Sequence, residues 1–196
     1  MPKVKKFLNN LLGFIGFCLR EKMVLISLVG YILILISPMF SWYSYFLAYT
    51  GVEEAVSYNI FQLGVGQIKE KSYIIFGVFI ILISLAFITI EYLDYKIKLR
   101  SRLGIIVTVE ILLYVALIVI LVMAFGNEVI RERISYANGE IKALEYWIKG
   151  AQGHCNNGLG PGICIAGLII AAMSKIGIYI YYFVDRVKDS LTTKKG

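Results

Sequence analysis

One histidine, three cysteines and three prolines are scattered over 196 residues, and charged side chains make up 17% of the chain. With His154 as the sole imidazole, the chain has too few ligands for a haem or for a His-based metal centre of the usual kinds. No glycine loop of the phosphate-binding form is present, and no acid–base pair lies near a soluble cleft. These absences point away from an enzyme, so no catalytic, cofactor-binding or metal-binding residue is assigned. Scarcity of charge also argues against a water-facing domain. The chain is 59% hydrophobic with a mean hydropathy of +0.75, against about 45–50% apolar residues in soluble domains.

Long apolar runs fill the space that charge leaves. A helix crosses a bilayer with roughly 20 apolar residues. Four runs meet that need, at about 23–47, 73–90, 103–126 and 162–184. The fold expected is an all-α integral membrane protein, a four-helix antiparallel bundle over 23–184, with structured outside loops at 48–72 and 127–161. Residues 1–22 precede it and a basic tail, 185–196, follows. In the first segment, Phe7, Leu8, Leu11, Leu12, Phe14, Ile15, Cys18 and Leu19 fall in one stripe at helical spacing. That pattern fits a basic amphipathic helix in the membrane interface, or one packed on the cytoplasmic side of the bundle. Arg20, Glu21 and Lys22 follow with no cleavage pattern, so a signal peptide is not expected.

Sidedness follows from Lys and Arg, which accumulate on the cytoplasmic side. Thirteen of the twenty lie in the N-terminal segment, the 91–102 connection and the tail, whereas the two alternate loops hold six beside seven glutamates. Both termini are therefore expected in the cytoplasm of a multi-pass cell-membrane protein. The net charge of +7 then reads as a surface for anionic lipid rather than a nucleic-acid footprint.

That topology puts "HCNNGLGPGIC", residues 154–164, outside, where thiols oxidise. Eight residues separate Cys155 from Cys164, and the Asn-Gly-rich stretch between them supplies turn residues. A disulfide is the leading expectation, with free thiols and a metal site as alternatives. In loop one, 56–68 suits a short strand or hairpin better than a helix. In loop two, Asn138-Gly139 divides two helical patterns, and Ile141, Leu144 and Ile148, with Trp147 as an anchor, are candidates for an interaction surface or a lid on the bundle.

Two ionisable residues sit inside spans, where a charge costs about 2.5–3.5 kcal/mol on insertion scales. Glu110 lies about 12 Å and Lys175 about 15 Å from the cytoplasmic ends of their helices, at 1.5 Å per residue. Matched depths make an ion pair the expectation, either fixing helix register or lining an ion or proton pathway. Gly167 and Ala171 give the fourth span a small-residue face for close packing. Pro38 is expected to kink the first span, with Ser37 satisfying the freed backbone. Trp42, Tyr43 and Tyr45, and also Tyr179, Tyr181 and Tyr182, look like interfacial belts.

Four spans with both termini inside resemble the tetraspan arrangement of claudins and tetraspanins in topology alone. The Trp-Gly-Leu-Trp and Cys-Cys-Gly motifs of those families are missing, so none of their residues is carried over. The functional expectation is a non-enzymatic tetraspan that assembles as a homo-oligomer or with a larger membrane complex, in a cell or viral envelope. The alternative is an oligomeric channel or transporter using Glu110 and Lys175. Abundant Ile and Lys point to an AT-rich or thermophilic prokaryote, an archaeal one included, or a virus of one.

Overall fold

The computed structural model describes residues 21–49, 52–65, 70–97, 103–125, 134 and 153–193. Within them the chain is mostly helical, with a three-stranded sheet at one end. Helix α1 spans Lys22–Ile36 and gives way to a 3-10 turn, Ser37–Met39. Strands β1 (Ser41–Tyr49) and β2 (Val52–Asn59) lead into a short helix α2, Ile60–Val65. Then come α3 (Lys71–Ile97), α4 (Leu103–Phe125), β3 (Gly153–Asn157) and α5 (Leu159–Thr193). Four of these, α1 with its turn, α3, α4 and α5, are long and apolar enough to cross a membrane. The protein is thus a multi-pass membrane protein whose helices imply contact with a lipid bilayer.

The first span is shorter than the sequence suggests. Pro38 has no N–H to continue the helix, so α1 ends in a tight turn instead of kinking, and Ser37 Oγ donates to the Ile34 carbonyl at 2.8 Å. Residues 41–47, expected to extend the span, form with 48–49 the central strand of the sheet, whose order is β2-β1-β3. Trp42, Tyr43 and Tyr45 are consequently buried rather than set in an interfacial belt. From Trp42 to Tyr45 every side chain of β1 is buried, so this part of the strand is covered on both faces. Trp42 is an extra residue at an irregularity in the β1–β2 register, between the Ser41–Asn59 and Tyr43–Tyr58 pairs. Such a bulge redirects a side chain, and here the indole Nε1 donates to the Ser37 carbonyl at 3.0 Å.

The strand reading of 56–68 holds for Val56–Asn59 and fails for Ile60–Val65, which is helical. Asn59 Oδ1 accepts from the backbone N–H groups of Phe61 and Gln62, and Gln62 Oε1 accepts from the Asn59 N–H at 2.8 Å. This reciprocal capping starts the helix despite its β-prone composition.

The sheet is tied to the helices through tyrosines. The Ala124 carbonyl lies in the last turn of α4, where carbonyls lack helical donors. It accepts from Tyr43 Oη at 2.6 Å and Tyr73 Oη at 3.1 Å. Burial raises the pKa of the Tyr45 phenol above its ordinary value, with Cys155, opposite it on β3, adding to the effect.

No disulfide joins Cys155 and Cys164, which corrects the expectation of a clipped loop. The intervening residues do not double back. Cys155 is held in β3 against β1, while Cys164 is buried in the second turn of α5. Two of the three glycines between them, Gly158 and Gly160, serve close approach. A Cβ at Gly158 would collide with the Ser41 carbonyl, and one at Gly160 with the Trp42 ring. Pro161 fits because it falls in the first helical turn, where no N–H is needed.

Close packing joins α1 to α5. A Cβ on Gly30 would lie 2.6 Å from the Gly167 carbonyl oxygen and 2.7 Å from the Ala171 nitrogen, and one on Gly167 would lie 2.6 Å from the Gly30 oxygen. Gly167 and Ala171 therefore meet α1 through Gly30. The N-terminal 1–20 segment and Ile141, Leu144, Trp147 and Ile148 lie outside the described residues.

Candidate functional site: a buried charge cluster

Each of the four long helices sends a polar side chain to one level of the bundle, away from the sheet. Lys175 on α5 is at the centre. Its Nζ lies 2.8 Å from Glu91 Oε1 on α3 and 2.9 Å from Glu110 Oε1 on α4. Ser27 Oγ on α1 lies 2.9 Å from both Glu91 Oε1 and the Val24 carbonyl, two acceptors for its single proton. Tyr179, one turn beyond Lys175, donates to Glu110 Oε2. The two carboxylates and the ammonium are 2%, 1% and 7% exposed, so water contributes little to their solvation. In a low-dielectric interior an ionised group needs an opposite charge beside it.

The Glu110–Lys175 contact is the one that matched depths suggest. Glu91 was missed. A span ended at Ile90 because the next residue is charged, yet α3 continues to Ile97 and carries Glu91 inward. Two signals were available, namely the helical continuation and a second acid at similar depth on a neighbouring span. Ser27 and the tyrosines give little sign in sequence, because isolated hydroxyls are ordinary in apolar helices.

Aromatic side chains close the cluster on its sheet side. Tyr31, Phe87 and Tyr114 each sit one helical turn from Ser27, Glu91 and Glu110 respectively, as i, i+4 neighbours on one helix face. Tyr31 stacks on Phe87 with centroids 4.7 Å apart, and Phe87 meets Tyr114 at 4.6 Å. The Tyr31 and Tyr114 hydroxyls are 3.2 Å apart, and Ser84 Oγ donates to the Tyr31 carbonyl at 2.6 Å. On the opposite side, Val24 packs with Leu28, Tyr92, Tyr95 and Ile178. Across from the tyrosines, α5 presents Ala171, whose small size lets α1 approach. Ser174, next to Lys175, donates to the Met23 carbonyl and fixes the two helices at this level.

Chemically, the arrangement brings two carboxyl groups within ion-pair distance of one ammonium. The described residues include no group of three or more His, Cys, Asp or Glu able to hold a metal ion. Comparison with known proteins finds no matching family model, curated protein or solved structure.

Proposed function

We propose that the protein is a non-enzymatic tetraspan that assembles laterally in the membrane, with both termini in the cytoplasm and its basic segments against anionic lipid. The observation that carries this reading is the sealed cluster. The intramembrane charges of the described spans face one another between two apolar layers, which suits a device that locks helices rather than one that passes solute. Among the described residues, the exposed faces between the span ends carry large apolar side chains. Helix α4 exposes Ile105, Ile111, Leu112, Val115, Val122 and Met123 and has few neighbours among the described residues. A second copy packed along α4 is the assembly this favours.

Single cysteines at Val115 and Val122, in a chain lacking the native cysteines, should cross-link between copies in native membranes. Native mass spectrometry of mildly extracted protein should give an oligomer. A single chain in every mild detergent, with no cross-link, would overturn self-assembly.

One feature favours a transport reading, in which the cluster lies on an ion or proton path: two carboxylates face one lysine. Flux through liposomes holding the protein separates the readings, since a sealed lock gives no more leak than empty vesicles.

A further inference from the structure

The cluster does not balance. Among the described residues, Lys175 is the only cation within ion-pair distance of Glu91 or Glu110. Among the described residues the hydroxyls of Ser27 from α1 and Tyr179 from α5 also reach the carboxylates, and the paired hydroxyls of Tyr31 and Tyr114 lie one helical turn away. Fully ionised, the site would carry one uncompensated negative charge in a dry interior. A lone charge at such depth costs several kcal/mol.

Hydrogen bonding is unequal too. Glu91 Oε1 accepts from Ser27 and pairs with Lys175. Glu110 Oε1 is buried and close to Lys175 Nζ, but no donor is aligned on it for a hydrogen bond. A buried carboxylate oxygen without a donor is costly, and a proton on that carboxyl removes the demand.

We propose that the Glu91–Glu110 pair is a proton-binding site, holding one shared proton at neutral pH so that the cluster of two carboxyls and one ammonium is electrically neutral. The proton belongs to the coupled pair rather than to one residue. Its role is to hold four helices together. Loss of the proton would leave an uncompensated negative charge between the four helices, so alkali should weaken the bundle. This inference goes beyond lateral assembly and does not depend on it.

Infrared spectroscopy of the full chain in nanodiscs tests it. At neutral pH the spectrum should contain the C=O stretch of about one protonated carboxyl per chain. The band should shift in heavy water and vanish on alkaline titration. Glu91→Gln and Glu110→Gln should each remove it, and each should flatten the alkaline fall in melting temperature seen in the wild type. Should either variant fail to fold, the wild-type titration still decides. Absence of an acid band at neutral pH would overturn the proposal. So would a band untouched in both folded variants, or wild-type stability that follows sodium or potassium concentration without any acid band.

Discussion

Lys175 and its two acids are not interchangeable partners. Removing the lysine leaves two carboxyls facing each other, whereas removing one acid leaves an intact Glu–Lys pair at 2.8 or 2.9 Å. Lys175→Met should therefore destabilise the bundle by about 3–5 kcal/mol, the scale for breaking a buried pair. Glu91→Gln and Glu110→Gln should each cost about 1 kcal/mol or less at neutral pH, close to the worth of one hydrogen bond. The double Gln variant should lose far more than their sum, because the ammonium is then alone. Thermal or denaturant unfolding in detergent reads all four, and a single Gln variant as unstable as Lys175→Met would refute the sharing. Glu110 and Lys175 were legible because an ionisable side chain stands out in an apolar run and helical rise converts position into depth. Glu91 was not, because a hydropathy boundary stops at the first charge while a helix does not.

Among the elements, α1 and α5 are joined by backbone rather than by side chains. Gly167→Leu or Gly30→Leu inserts atoms where even a Cβ has only 2.6 Å. Each should lower stability by about 1–3 kcal/mol or more, the range for overpacking. Each should also weaken protection of the nearby Lys175 site in hydrogen exchange. Wild-type melting in both variants would show that the helices part without cost. Apolar length made the four long helices readable in sequence. The sheet was harder, because "SWYSYFLAY" has the composition of a membrane-interface belt as well as of a buried strand. Long-range pairing with residues 153–157 decides between them, and no local pattern carries that information. The Asn59–Gln62 capping box was a local signal, and it outweighs β-propensity at 60–65.

Seen as a whole, the molecule is polarised, with a hydrogen-bonded sheet at one end and a charge lock toward the other. If the positive residues set its orientation, the lock lies nearer the cytoplasm and the sheet on the far side. Cysteines placed one at a time at Lys98 and Lys142, in a chain lacking the native ones, should differ in reaction with an impermeant thiol reagent on intact cells. Lys142 should label and Lys98 should not, and the reverse would invert the molecule. Sequence conveys which segments cross and how charge is distributed, since both are properties of single segments. It does not convey which faces meet, because a rotation of any helix about its axis leaves its hydropathy unchanged.

The place of α5 in the chain has a consequence for synthesis. Ser41 and Leu159, neighbours in the finished fold, are separated by 118 positions, and Lys175 leaves the ribosome later still. Until then β1 has one unpaired edge, and Glu91 and Glu110 enter the bilayer as a hairpin with no cation. A nascent chain arrested before β3 should thus expose a strand edge open to chaperones or to misplaced β-pairing. Strand β3 and the helix that follows it thus complete the sheet and supply the missing charge in close succession.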